Sequence, residues 1–152
     1  MTEDERRRYR MLRGAYAYLA SSEYLDTHAN LFPLYESATS TSRGITFVYN
    51  SNGSILVNGT NNGTGASFSR ANAFHLDPGE YKKSPALGNV MMYMQYRISA
   101  TNWIPVDPSI AAKDFFTIDD RGNEYDIVAR LYIRSGDSVD NILYEPWIYR
   151  VR

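Results

Sequence analysis

Between Gly44 and Thr60 the chain reads GITFVYNSNGSILVNGT, and this stretch restricts the possible folds more than any other. Ile45, Phe47 and Tyr49 alternate with Thr46, Val48 and Asn50. Beyond Asn52-Gly53, Ile55 and Val57 alternate with Leu56 and Asn58. A period of two sends one set of side chains to each face, the pattern of a half-buried strand. Asn-Gly favours a type I′ turn, because both central residues take positive φ and the turn's twist matches that of the strands. The stretch therefore predicts a tight hairpin centred on Asn52-Gly53.

The same period continues downstream. A strand is expected around Ala66 to Phe74, after the loop NGTNNGTG, and the run LDPGEY marks a turn through Pro78 and Gly79. Further strands are expected at Val90–Ile98, near Phe115–Ile118, at Ile127–Ile133 and at Ile142–Tyr149, where Pro146 suggests an edge or a bulge. Residues 99–126 read as an irregular insertion. Short strands separated by Gly, Asn and Pro turns, with no alternating helices, predict a mainly β chain built as a β-sandwich. Nothing repeats at a fixed period, which excludes a solenoid or propeller.

The first 40 residues follow a different rule. Thr2 and Glu5 have capping-box spacing, and Glu3, Asp4 and Glu5 would lie in a first turn where the helix dipole favours acids. Tyr9, Leu12, Tyr16 and Leu19 then form one narrow apolar stripe, flanked by Arg6, Arg7, Arg8, Arg10 and Arg13. This predicts an N-terminal α-helical segment. Such a helix is marginal alone, so its stripe must be covered by its own domain, by other copies or by a partner. The arginines read as a solvated face or as phosphate contacts; the three acids before them favour the former. The period is lost between Ser21 and Ser42, and ESATSTSRG reads as a linker. The expected division is residues 1–40, helix and linker, and residues 41–152, the β part.

A chain of 152 residues fits one domain with a short appendage. Aromatics make up 14%, including 13 tyrosines, which suits pleated, half-buried surfaces and leaves some for a ligand platform or a partner surface. The formal charge of −1 gives no general pull toward nucleic acid or anionic membrane. Cysteine is absent, which excludes disulfides and thiolate metal sites. The charged start MTEDERRRYR is not a secretory signal, and no run approaches the ~18 apolar residues that span a bilayer. Synthesis in the cytoplasm is expected.

Catalytic motifs are missing. The two histidines, His28 and His75, have no serine or cysteine motif nearby, and there is no Gly-x-Ser-x-Gly, His-Glu-x-x-His or P-loop. No enzyme activity, catalytic residue, cofactor or metal is expected. Asp119, Asp120, Glu124 and Asp126 cluster around Gly122-Asn123, either as a solvated turn or as oxygen ligands for calcium, although the spacing is not that of an EF-hand. As a contiguous loop cluster they do not provide the opposed carboxylates of a glycosidase. Trp103, in TNWIPVDP, can stack on a sugar face or plug the end of a sandwich. Trp147, in YEPWIY, alternates within an expected strand and reads as core.

Taken in order, GITFVYNSNGSILVNGT, ASFSRANAFHLDPGEY and LYIRSGDSVDNILYEPWIYR resemble a module common in structural proteins of tailed phages and prophages. The resemblance falls on Gly44, Ile45, Thr46, Phe47, Gly53, Ile55, Val57, Asn58, Gly59 and Thr60. It continues at Leu76, Gly79, Tyr81, Gly136, Val139, Asn141, Tyr144, Pro146 and Ile148, and so covers roughly residues 40–150. It implies a jelly-roll sandwich similar to carbohydrate-binding modules, and no reaction. Residues 99–126 are longer and more irregular than the module's pattern, and the N-terminal segment lies outside it.

The resulting expectation is a virion structural or accessory protein of capsid-decoration or head-fibre type. Residues 1–40 would attach it through Tyr9, Leu12, Tyr16 and Leu19. Its partners would be other virion proteins and copies of itself, a trimer first, with a host-surface glycan as a secondary ligand stacking on Trp103. The alternatives are a tail or baseplate receptor-binding protein, or a free carbohydrate-binding module.

Overall fold

The computed structural model describes residues 2–3 and 29–152. The expected helix with Tyr9, Leu12, Tyr16 and Leu19, and also His28, lies outside these residues. The chain divides into two units, Met1–Leu31 and Phe32–Arg152. The second unit takes in residues that the sequence pattern assigns to the linker.

Strands account for 47% of the described residues and all pair antiparallel, so the protein is mainly β. The described residues form twelve strands: β1 (Ala38–Ser42), β2 (Ile45–Tyr49), β3 (Ile55–Thr60), β4 (Ser67–Phe68), β5 (Ala73–Phe74), β6 (Gly79–Lys83), β7 (Met91–Arg97), β8 (Trp103–Pro105), β9 (Phe115–Ile118), β10 (Asp126–Ile133), β11 (Ser138–Tyr144) and β12 (Ile148–Arg150). Within this unit, helix is confined to short 3₁₀ turns at Ile110–Ala112 and Asp120–Asn123.

Three sheets share one core. The first has the order β1-β2-β3-β11. The second has β10 at its centre, with β4 and β5 on one side and β7 then β8 on the other. The third has the order β12-β6-β9. The alternation seen in the sequence decides which side chains go inward. Phe47 sits opposite Val57, and Tyr49 opposite Ile55, all buried. In the second sheet Met92, Met94 and Tyr96 face the core beside Leu131, Ala129 and Ile127. The third contributes Tyr81, Phe116, Ile118 and Ile148.

The first hairpin departs from expectation. ESATSTSRG is no linker: Ala38–Ser42 is β1, joined to β2 through Arg43-Gly44. Both of these residues have positive φ (50° and 87°), so the two-residue type I′ turn is here. At Asn52-Gly53 only Gly53 has positive φ (93°), and Tyr49 pairs with Ile55 across a five-residue loop. The Asn52 side chain accepts from the Ser54 N–H at 3.0 Å, and Gly53 N–H donates to the Asn50 carbonyl at 3.0 Å. An Asx turn thus replaces the expected mirror-image turn. Gly59 serves packing: a Cβ there would lie 2.2 Å from the Gly44 carbonyl oxygen.

Two expected strands are each divided. Ala66–Phe74 yields only β4 and β5, both paired with β10. Ile142–Tyr149 breaks at buried Pro146, which has no N–H to donate. β11 stays in the first sheet and β12 joins the third. LDPGEY, expected to be only a turn, opens directly into β6.

Candidate functional site

The alternation that fills the core also dictates the second sheet's opposite face. In β10, Val128, Arg130 and Tyr132 alternate with core residues Ala129, Leu131 and Ile133. In β7, Tyr93 and Gln95 alternate with Met92, Met94 and Tyr96. Register sets Arg130 beside Tyr93, Tyr132 beside Phe68, and Arg97 beside Trp103. The result is a half-buried aromatic platform. Tyr93 stacks on Tyr132 at 5.5 Å and 22°, and Phe68 packs on Tyr132 at 5.4 Å and on Tyr93 at 5.9 Å.

Arg130 lies within this platform. Its guanidinium carbon is 3.8 Å from the centre of the Trp103 ring and 5.2 Å from that of Phe68. Contact with two aromatic faces suits a weakly hydrated planar cation. Its hydrogen-bonding capacity, however, is unmet: Nε and Nη2 are buried and have no partner among the described residues. Burial pushes the guanidinium's pKa down from its ordinary value, and the neighbouring Tyr35 and Tyr93 pull it back up. No carboxylate of the described residues is among the groups acting on it.

Tyr35 extends the platform toward the first sheet. It donates to the Arg70 carbonyl at 2.5 Å and packs on Tyr49 at 4.8 Å. Burial, and then proximity to Tyr49, push its hydroxyl up to about 12. Arg70 covers the Tyr49 ring at 4.7 Å. At neutral pH the region therefore presents neutral phenols, apolar ring faces and arginine cations.

Trp103 does not lie in an irregular loop. It opens β8, an edge strand paired with β7, and its indole N–H donates to the Ser99 carbonyl at 3.1 Å. One of its faces is occupied by Arg130. Trp147 is half-buried rather than core; it precedes β12 and stacks on Tyr149 at 5.1 Å. His75 is an exposed side chain paired with Asp77 at 2.7 Å.

The acidic run 119–126 is not gathered into one site. Asp119 caps the 3₁₀ turn and is clamped by Arg121, whose Nε and Nη2 reach its two oxygens at 3.0 and 2.7 Å. These hydrogen bonds hold the Asp119 carboxyl at about 2, well below the usual range. Asp126 begins β10. Among the described residues no group of three or more histidine or acidic side chains is placed to hold a metal.

Sequence reasoning singled out Trp103 and did not mark the residues that the sheet places near it: Arg130, Phe68, Tyr93 and Tyr132. One signal was available. In DIVARLYI an arginine interrupts an apolar strand at a position that alternation assigns to the face away from the core. Comparisons with protein-family models, with curated proteins and with solved structures return no match.

Proposed function

We propose that this chain is a binding and display protein of a tailed-phage virion. In this reading it is of capsid-decoration or head-fibre type, catalyses no reaction, and carries a saccharide-binding face on its second sheet. The observation that carries the binding role is the half-buried platform of Phe68, Tyr93, Tyr132 and Trp103 around Arg130. Aromatic rings can stack on the C–H faces of sugars, and a sheet surface holds them rigidly without a lid. The virion assignment rests on the resemblance from Gly44 to Ile148. The pairings β3 with β11, β4 with β10 and β6 with β9 are nested one inside another, the pattern of a long hairpin rolled into a sandwich, and this supports a jelly roll.

On this reading residues 1–40, with Tyr9, Leu12, Tyr16 and Leu19, anchor the chain to other virion proteins and to copies of itself, a trimer first. The β part faces the host surface. The test uses full-length protein, purified phage particles and host cell-surface polysaccharide. Co-sedimentation with particles, lost in the Leu12→Asp, Leu19→Asp variant, is expected. So is polysaccharide binding that weakens at least about tenfold in Tyr93→Ala, equivalent to about 1.4 kcal/mol. Absence of particle binding together with retained polysaccharide binding would favour a free carbohydrate-binding module. Loss of neither property in these variants would refute the assignment.

A further inference from the structure

The Arg130 side chain holds two buried donors that no acceptor among the described residues reaches. Nε–H and the adjacent Nη2–H point the same way and together form the side-on fork that matches a carboxylate's two oxygens. The same protein shows this fork in use at Arg121, where Nε and Nη2 engage the two oxygens of Asp119. At Arg130 the equivalent pair is buried and unpartnered. Leaving two donors of a cation unpaired and away from water costs several kcal/mol in general, and native proteins rarely tolerate it without a reason.

Replacement of the arginine by an apolar residue would remove that cost and keep the sheet intact, since its neighbours are rings. Its faces are satisfied by Trp103 and Phe68. Only its edge is not. A group that completes the edge must be anionic, planar and two-oxygened, and its remaining body must tolerate contact with phenol and indole rings. A sugar carboxylate meets all of these requirements.

We propose that the platform recognises an acidic saccharide, and that the carboxylate of a uronic or sialic acid residue is taken by the Nε/Nη2 edge of Arg130. This deepens the saccharide-binding reading above and rests on it. The sugar ring lies over Tyr93 and Tyr132, while Trp103 and Phe68 hold the guanidinium plane. Because the edge is covered in the free protein, the carboxylate enters only when a covering side chain moves aside. Binding exchanges an unpaired buried cation for a charge-assisted, bidentate pair, so selectivity over neutral sugars follows from the same defect.

The test titrates full-length protein with four probes: glucuronic acid, galacturonic acid, N-acetylneuraminic acid and, as the neutral control, glucose. Binding is followed by calorimetry and by the side-chain Nε–H resonance of Arg130. At least one acid should bind at least about tenfold tighter than glucose and shift that resonance. Arg130→Lys, which keeps the charge but loses the fork, should lose that preference while retaining its thermal transition. Arg130→Met reports folding, and should melt no lower than wild type if the arginine is not structural.

If the sugars bind with no preference for acids and Arg130→Lys leaves them unaffected, this inference falls and the saccharide-binding reading stands. If no probe perturbs the Arg130 resonance, the inference falls regardless of binding elsewhere. Failure of host polysaccharide to bind at all would refute the underlying reading itself.

Discussion

Lys83 provides the sharpest test of how this core is balanced. In GEYKK, strand alternation sends Tyr81 and Lys83 inward and Lys82 outward over the Phe115 ring. Lys83 is 1% exposed, opposite Ile148, with its backbone N–H bonded to the Asp114 carbonyl at 2.8 Å. Burial pushes its ammonium down from the ordinary 10.5 to about 8, and Asp114 offsets only part of this. At 1.36 kcal/mol per tenfold in acidity, that gap makes the charged form about 3 kcal/mol worse in the folded protein than in the unfolded chain.

The pH dependence has a definite sign. Below about pH 8 both states carry the proton and the penalty is present in full. Between about 8 and 10.5 the unfolded chain binds more protons than the folded one, so stability rises with pH. Tyr35 and Tyr144, each pushed up to about 12, act oppositely above pH 10, where the unfolded phenols ionise first. Stability should therefore peak near pH 9 to 10, a little above neutrality.

Lys83→Met keeps an unbranched side chain and removes the charge. Allowing for imperfect repacking, the variant should gain about 2 kcal/mol at pH 7 and under about 1 kcal/mol at pH 10. For a chain of this size the gain at pH 7 corresponds to a rise of about 4–8 °C in Tm. Urea unfolding followed by tryptophan fluorescence at a series of pH values measures both, and the tyrosine contribution cancels in the difference between the two proteins. A difference that stays flat from pH 7 to 10, or a variant less stable than wild type at pH 7, would refute the reasoning. Either result would mean that the Lys83 ammonium reaches water or a partner.

Two further perturbations probe the frame. Gly59→Ala should cost at least about 2 kcal/mol, read by the same urea titration: its φ of 129° resists a side chain, and the new Cβ meets the Gly44 carbonyl at 2.2 Å. Tyr144→Phe should cost about 1–2 kcal/mol by thermal unfolding, because the buried hydroxyl donates to the Pro85 carbonyl at 3.0 Å and shares a second hydrogen bond with Ser84 Oγ at 3.0 Å, and both are lost.

Periodicity carried most of what the sequence could reveal. Ile45–Tyr49, Ile55–Val57 and Ile127–Ile133 alternate cleanly because each has one buried face, and all three are strands. What escaped was set by partners distant in sequence. ATSTS has no apolar face of its own, so β1 is legible only once β2 is there to pair with it. Asn52-Gly53 carries the dipeptide of a type I′ turn, yet the Ser54 N–H and hydroxyl both donate to the Asn52 side chain and hold a longer loop. The platform escaped for a similar reason. Phe68, Tyr93, Arg130 and Trp103 lie on four different strands, and only cross-strand register makes them neighbours.

The placement of those four residues separates two roles that a saccharide-binding face would need. Arg130 stands on β10, a strand with partners on both sides: it pairs with Tyr93 of β7, and β4 and β5 pair with residues of β10 on either side of it. Trp103 stands on β8, a three-residue edge strand. On the proposed reading, the charge that selects a ligand class is built into the centre of the sheet. The ring that shapes access to it sits at an edge, where substitutions and insertions disturb few ladder hydrogen bonds. Change of ligand would therefore arise most readily at 99–126 and least readily at Arg130.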